Sequence, residues 1–180
     1  MGKRSSFRRR RQDKYLTFDP KAGASLARHL AWGCRFWEPC AAEGHLVHQI
    51  QGYGAQCLVA SDIEPGAEGV FRVDALRATR ADILSIGATH IITNPPWTRE
   101  ILHAMILHFS SVLPTWLLFD ADWVHTVQAA PYLSRLQKIV SVGRLCWIEG
   151  TNQTGKDNVS WYLFDARHSG PTEFVGRMAA

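Results

Sequence analysis

The sequence lacks long apolar runs and any sign of a secretory leader. Its longest apolar stretches, such as residues 116–119, have the length of a strand, far below the roughly 18 apolar residues of a membrane span. The basic N-terminus continues into Asp13 and Lys14 rather than into an apolar segment, which argues against a signal peptide. We therefore expect a soluble, cytoplasmic protein that makes no membrane contact.

Metal-binding and disulfide patterns are also missing. The chain has only 4 cysteines, with no C-x-x-C pair and no zinc-site spacing. Cys34, Cys57 and Cys146 lie in or beside apolar runs, so we expect buried, reduced thiols. His45 and His48 are three residues apart but have no third ligand nearby in sequence, and no metal site is predicted.

Charge is distributed unevenly along the 180 residues, of which 46% are hydrophobic. Residues 1–14 hold seven basic side chains and one acidic one, so the excess positive charge belongs to this segment. We predict a flexible basic arm over residues 1–14 and a single domain over 15–180. Arg8, Arg9, Arg10 and Arg11 suit contact with nucleic-acid phosphates, although a solvated tail without a specific partner has the same composition.

Strand-like and helix-like segments alternate after the arm. Helices are predicted from Asp19-Pro20 to about Gly33, after Gly44, around 81–85, over 99–112 and on both sides of Pro131. Seven strands are predicted at 35–38, 56–61, 70–73, 89–93, 115–120, 138–149 and 158–165. This order indicates an α/β fold with a doubly wound, mostly parallel, seven-stranded sheet that ends in an antiparallel hairpin. Ligands of such folds bind at the carboxyl ends of the strands.

Polar residues stand at four of these predicted strand ends: Glu38, Asp62, Asp74 and Asn94. Proline cannot donate to a sheet ladder, so Asn94-Pro95-Pro96-Trp97 must end its strand abruptly. The result is a rigid corner rich in hydrogen-bond acceptors beside an indole. Simpler explanations remain open at this point: a chance turn at Asn94, a helix cap at Asp62, a turn residue at Asp74 and a core tryptophan at Trp97.

The corner Asn94-Pro95-Pro96-Trp97 resembles the catalytic motif of S-adenosylmethionine-dependent amino-methyltransferases. The segment from Glu38 to Gly44 is similar to their cofactor loop, Glu-Pro-x-Ala-Gly-x-Gly, with Ala42 where that family usually has glycine. The Glu-Pro form of the loop most resembles N6-adenine DNA methyltransferases, including small phage-encoded ones. The resemblance implies a class I, Rossmann-like fold and a protein of a bacterial or phage-infected cell.

The resemblance also implies roles for individual residues. Catalysis would fall to Asn94, Pro95, Pro96 and Trp97. S-adenosylmethionine would be bound by Thr17, Glu38, Pro39, Cys40, Ala41, Gly44, Asp62, Ile63, Asp74, Ala75 and Asn94. The nucleic acid would be bound by Trp97, by Lys156 in the polar loop 150–157 and by the arginines of the arm. A second aromatic near the final hairpin often faces the target base in this family, which makes Trp147 and Trp161 candidates, although strand tryptophans are more often core residues.

The function expected from these residues is methyl transfer to the N6 amino group of adenine in DNA. We expect low or short sequence specificity, because 15–180 leaves no room for a separate target-recognition domain. The alternatives are an RNA methyltransferase acting on adenine or guanine, or a non-catalytic protein of the same fold that binds nucleic acid. A glutamine methyltransferase fits less well, since Trp97 and the arm favour a nucleic acid. Oligomeric state is not predicted.

Overall fold

An eight-stranded mixed β-sheet lies between two layers of helices. The computed structural model describes residues 16–151 and 153–177. The strands are β1 Arg35–Glu38, β2 Gln56–Asp62, β3 Phe71–Arg72, β4 His90–Thr93, β5 Thr115–Asp120, β6 Leu136–Gly143, β7 Val159–Phe164 and β8 Glu173–Val175. The α-helices are α1 Lys21–Ala27, α2 His45–Gln51, α3 Arg80–Ser85 and α4 Arg99–Ser110, and 3₁₀ helices cover Ala75–Arg77, Ala121–His125 and Val127–Arg135.

The strand order is β3-β2-β1-β4-β5-β7-β6-β8. Strands β1 to β5 are parallel, β7 is antiparallel to both β5 and β6, and β8 pairs in parallel with β6. The prediction of a doubly wound α/β fold is thus confirmed, and the order of the strands reverses between β1 and β4. All parallel strands end at one edge, which we call the carboxyl edge, and the start of β7 and the end of β6 lie there too.

The core has one cluster on the face covered by α1 and α2 and two clusters on the face covered by α3 and α4. Strand β5 is buried along residues 115–119 because helices cover both of its faces. Helix α4 packs through Leu102, Met105, Ile106 and Phe109. At Gly23, where α1 crosses α2, an added Cβ would lie 2.7 Å from the Cβ of Gln49, so the close approach of the two helices requires glycine.

Some details of the predicted architecture were wrong. The sheet has eight strands rather than seven, since residues 173–175 add an edge strand beyond β6, and the β6–β7 hairpin is therefore not at the sheet's end. The first helix ends at Ala27 rather than near Gly33. Strand β6 ends at Gly143, which has a φ of 92°, rather than at Glu149. The helical segments predicted around Pro131 are present as 3₁₀ helices, and Pro131 lies inside the second of them.

The four cysteines are free, as predicted, but only Cys34 is buried; Cys57 and Cys146 are half-buried, so that expectation was too strong. No helix within the described ranges is long and apolar enough to cross a bilayer, and the longest, α4, has 12 residues. In residues 16–151 and 153–177, no three metal-ligating side chains lie close enough together to hold an ion.

Candidate active site

The carboxyl edge brings the four predicted strand-end residues side by side. Glu38 is the last residue of β1, Asp62 is the last of β2, Asp74 lies just beyond β3, and Asn94 lies just beyond β4. Because the order is β3-β2-β1-β4, these residues occupy consecutive strand ends. The predicted grouping therefore exists in the fold.

Glu38 is fully buried, and among the described residues neither of its carboxylate oxygens has a hydrogen-bond partner. Burial raises the pKa of this carboxyl to about 8. The Thr93 hydroxyl and the Cys40 amide lie close and lower the pKa, but they do not meet hydrogen-bond geometry and do not offset burial. A buried carboxyl without a partner is costly, which marks Glu38 as a group suited to a ligand rather than to the core.

The loop between β1 and α2 is held by Asp62. The backbone N–H of Ala42 donates to Asp62 Oδ2 at 2.9 Å, and the N–H of Glu64 donates to Oδ1 at 2.8 Å. Ala42 has a φ of 48° and Gly44 a φ of 80°, so both occupy the left-handed region. The alanine that departs from the family pattern thus adopts a backbone conformation that favours glycine, at a cost of about 1–2 kcal/mol.

The ends of β2 and β3 carry further predicted cofactor residues, Ile63 after β2 and Asp74 and Ala75 after β3. Ile63 is 62% exposed, while Ala75 is buried beneath the 3₁₀ helix that begins there. Asp74 accepts from the Leu76 N–H at 3.2 Å and pairs with Arg77 at 3.2 Å. Asp74 therefore acts as a turn and cap residue in this conformation, and its predicted contact with the cofactor stays a prediction.

Two hydrogen bonds fix the side chain of Asn94. The Trp97 indole N–H donates to Asn94 Oδ1 at 3.2 Å, and Asn94 Nδ2 donates to Thr17 Oγ1 at 2.9 Å. An indole nitrogen can only donate, so the amide must present its oxygen to Trp97 and its nitrogen to Thr17. The orientation of the Asn94 amide is thereby determined by its neighbours.

Trp97 is half-buried and packs against core clusters on both faces of the sheet. Its ring meets the ring of Trp147 edge-on, with the two centroids 5.7 Å apart. Pro95 is buried and Pro96 is half-buried. Of the two further tryptophans considered, Trp161 is fully buried and donates to the Ala22 carbonyl, so it is a core residue. Trp147 alone remains beside the corner.

The segment 16–19 closes one side of the site. Thr17 is buried, and its carbonyl accepts from Gln49 Nε2 of α2 at 2.6 Å. Asp19 is also buried and accepts from the N–H groups of Lys21 and Cys146, each bond being about 3 Å. The bond to Cys146 joins this segment to the connection after β6, which carries Trp147.

A narrow cleft opens between these elements, and we call it the Asn94 cleft. Its lining combines the N-terminal segment, the β1–α2 loop and the β4 corner: Leu16, Thr17, Glu38, Cys40, Ala41, Ala42, His45, Leu46 and Asn94. Five of the predicted site residues (Thr17, Glu38, Cys40, Ala41 and Asn94) therefore share one cleft, together with Ala42, which departs from the family pattern. Asp62 supports it from behind through Ala42.

Apart from Trp97, the predicted nucleic-acid-binding residues do not line the Asn94 cleft or lie outside the described chain. Lys156 is exposed in the connection between β6 and β7, which folds back so that Gly155 donates to the Leu145 carbonyl and packs on the indole of Trp147. The arm with Arg8 to Arg11 lies outside the described residues. Asp120, at the end of β5, has its pKa raised by burial, although the Asp122 amide that it caps lowers it.

Sequence reasoning missed Asp19 and Gln49 as determinants of the site's geometry. Their partners, Cys146 and Thr17, are 127 and 32 positions away, so no local motif could have identified them.

No family model matches the chain, and no curated protein matches its sequence. Solved structures do match its fold. A modification subunit assigned to a type I restriction enzyme of Vibrio vulnificus superposes with a TM-score of 0.59 at 11% identity, covering 93% of this chain and 48% of the subunit. This chain therefore spans about half the length of that subunit.

Two further structures differ in what they are assigned to do. A Listeria monocytogenes protein assigned to the class I S-adenosylmethionine-dependent methyltransferases matches with a TM-score of 0.54 at 7% identity, covering 92% of this chain and 67% of its own. A Pyrococcus horikoshii protein assigned as an RNA methyltransferase matches with a TM-score of 0.52 at 10% identity. The match covers 80% of this chain and 82% of that protein. The chain has the class I methyltransferase fold. At these identities the likeness concerns architecture alone, and the eighth strand is compatible with it.

Proposed function

We propose that this protein transfers a methyl group from S-adenosylmethionine to the N6 amino group of adenine in DNA. The observation that carries the proposal is the Asn94 amide, held in one orientation at the end of β4 and facing the same cleft as the buried Glu38 carboxyl. A polar cleft at the carboxyl edge beside the point where strand order reverses is where α/β sheets bind ligands.

The residues of the β1–β2 side suit the chemistry of the cofactor. Glu38 offers a buried acceptor without a partner in the described chain, which suits an ammonium group. Asp62, with both oxygens already oriented by amides, keeps further lone pairs for ribose hydroxyls, and the exposed Ile63 offers an apolar surface for a base.

The reaction needs little acid–base chemistry. When bound, S-adenosylmethionine supplies an electrophilic methyl group on a sulfonium. An aromatic amine is a poor nucleophile because its lone pair is delocalised into the ring. If Asn94 Oδ1 and the Pro95 carbonyl each accept one amino hydrogen, the nitrogen becomes more tetrahedral and its lone pair localises. The protein then acts by positioning and by fixed dipoles.

Trp97 keeps the acceptor oxygen in place. Its indole N–H donates to Asn94 Oδ1 and so determines where this acceptor lies at the corner. The rings of Trp97 and Trp147 also supply aromatic surface beside the corner, on which an unstacked base can recover about 1–3 kcal/mol.

The basic arm supports a nucleic acid as substrate. Leu16 lines the Asn94 cleft, and Lys14, the last basic residue of the arm, precedes it by two positions in the sequence. In sequence the basic arm is therefore next to the cleft, and Lys156 adds a further cation at the carboxyl edge. The fold likeness to a restriction-enzyme modification subunit also agrees with a nucleic-acid substrate. RNA is the second candidate, favoured by the likeness to the Pyrococcus horikoshii protein.

One labelling experiment separates the candidates. The full chain is incubated with S-adenosylmethionine carrying a radioactive methyl group and with separate pools of DNA, RNA and protein. Label in DNA supports the proposal, and its loss in Asn94→Ala assigns it to this site. Label in RNA and none in DNA would replace the substrate, while absence of label in every pool, with cofactor binding intact, would favour a non-catalytic binding protein.

A further inference from the structure

A second groove, of about 500 Å³, lies at the carboxyl edge on the α4 face of the sheet. We call it the Arg177 groove. Ser141 of β6 and Ser160 of β7 form its floor. Since β8 lies outside β6, and the 3₁₀ helix 121–125 follows β5 on the inner side, the groove runs between that helix and the edge strand.

The groove and Asn94 open at the same edge. Strands β4 and β6 are separated by β5 and β7, so three strand spacings, or about 14 Å, lie between them. Four steps between stacked nucleotides of a DNA strand cover about the same distance at roughly 3.4 Å per step. A strand with its target base at Asn94 can therefore reach the Arg177 groove with nucleotides a few positions away.

Arg177 supplies a fixed positive charge on the outer wall. Its guanidinium lies against the backbone of Gly143, where an added Cβ would come within 3.1 Å of Nη1 and 3.3 Å of Cζ. Within the described ranges, no carboxylate forms an ion pair with it. A guanidinium keeps its charge at all physiological pH values and suits a phosphate oxygen.

The same wall carries an aromatic ring. Phe174, on the edge strand β8, is 67% exposed although it pairs in register with Ile139 of β6. Exposed aromatic faces beside a positive charge are the usual platform for bases of a single strand. Because Phe174 contributes little to the core, the ring can be changed without unfolding the protein.

The opposite wall has a different chemistry. Asp122 and His125 of the 3₁₀ helix line it, and Asn158 lies at the start of β7. A carboxylate repels a phosphate group but accepts hydrogen bonds from the amino groups of bases. The two walls thus favour one orientation, with the sugar-phosphate backbone along Arg177 and base edges towards Asp122.

We propose that the Arg177 groove binds DNA nucleotides that flank the target base on one side, with a phosphate at Arg177 and a base on Phe174. This proposal rests on the proposed function for its substrate, and it gives the domain a place to contact nucleotides next to the target base.

The test measures binding of a fluorescein-labelled single-stranded oligodeoxynucleotide to the full chain by anisotropy at several salt concentrations. Arg177→Ala should reduce the slope of log affinity against log salt by about 0.7, the value for one phosphate contact on a single strand. The matched control is Arg35→Ala, which removes an exposed arginine from the opposite edge of the same sheet and should leave the slope unchanged. Equal changes in both variants would overturn the proposal.

The ring is tested separately. Phe174→Leu should weaken binding by at least about fivefold, whereas Phe174→Tyr, which keeps the stacking face, should bind like the unmodified chain. Equal affinity of all three proteins would contradict a stacking role. Thermal unfolding of each variant verifies that the fold is retained.

Methyl transfer measured in parallel keeps the two proposals distinct. If Arg177→Ala changes the salt slope while the unmodified chain labels no DNA, the groove stands and the proposed reaction is wrong. If DNA is labelled and Asn94→Ala abolishes the label, but Arg177→Ala leaves the slope unchanged, the reaction stands and the groove proposal is wrong.

Discussion

The two sides of the Asn94 cleft are held together in different ways. On the β1–β3 side, Asp62 and Asp74 accept from amides that are 2 to 20 positions away in sequence. On the β4 side, Asn94 is oriented by Thr17, 77 positions away, and the Thr17 segment is tied to Cys146 by Asp19 across 127 positions. One side is built from local turns, and the other exists only after distant segments have packed.

This difference separates two tasks. Local turns can form a binding loop early and with few partners, which suits a cofactor of constant shape. The long-range side places an amide, two indoles and the N-terminal segment around one point, so its geometry depends on the whole domain. Changes on the β4 side should therefore alter chemistry, while changes on the β1–β3 side should alter cofactor affinity or stability.

The largest expected effect is at the corner itself. Asn94→Ala should lower single-turnover methyl transfer by about 10²- to 10³-fold, since an oriented hydrogen-bonding group in the site is lost. Cofactor affinity, measured by calorimetry, should change little. Asn94→Asp keeps an acceptor for Trp97 and can accept from the Thr17 hydroxyl, so it should retain part of the activity. Equal turnover in Asn94→Ala and the unmodified chain would remove Asn94 from the reaction.

The next largest effect is the pH dependence that Glu38 gives to the free energy of unfolding. Its pKa is about 8 in the folded chain against an ordinary value of 4.5. The folded state binds this proton more tightly, so the stabilising contribution is complete below pH 4.5 and is lost as the pH rises towards 8.

Glu38→Gln removes this dependence. Between about pH 5 and about pH 8, the free energy of unfolding of the unmodified chain should fall relative to Glu38→Gln by about 3–4 kcal/mol, measured by urea denaturation. Curves that stay parallel over this range would show that the carboxyl is not perturbed.

A smaller effect is expected when a residue that forms a long-range hydrogen bond is compared with one that forms a local hydrogen bond. Asp19→Ala leaves two buried amides without their acceptor and should cost about 1–3 kcal/mol of unfolding free energy. Asp74→Ala removes a half-exposed cap and should cost less, about 0.5–1 kcal/mol. The reverse ranking in urea denaturation would contradict the distinction between the two sides.

The smallest effect concerns the loop alanine. Ala42→Gly should raise the unfolding free energy by about 0.5–1 kcal/mol, because glycine adopts the φ of 48° without strain. Ala41→Gly is the neighbouring control: Ala41 is buried without a positive φ, and the change should destabilise the chain. A loss of stability in Ala42→Gly would show that the loop tolerates alanine without strain.

Much of the fold could be predicted from the sequence because its signals are local. The apolar run of β5, the double proline after β4 and the Glu38–Gly44 loop each specify a structure within a few residues. The edge strand β8 could not be predicted, since residues 173–175 are exposed or half-buried and acquire a strand conformation only by pairing with β6. The 3₁₀ helices around Pro131 likewise depend on tertiary packing.

The site divides in the same way. The strand-end positions of Glu38, Asp62, Asp74 and Asn94 follow from motif and topology. The bond between Asn94 and Thr17 and the contact between Trp97 and Trp147 depend on side chains that meet only in the folded chain.

Nucleoside analysis of the product tests the central claim most directly. DNA is treated with the protein and isotopically labelled S-adenosylmethionine, digested to nucleosides and examined by mass spectrometry. If Asn94 and Pro95 accept both hydrogens of the adenine amino group, the label appears in N6-methyldeoxyadenosine. Label on a ring nitrogen or a ring carbon, with none on an amino group, would contradict the account.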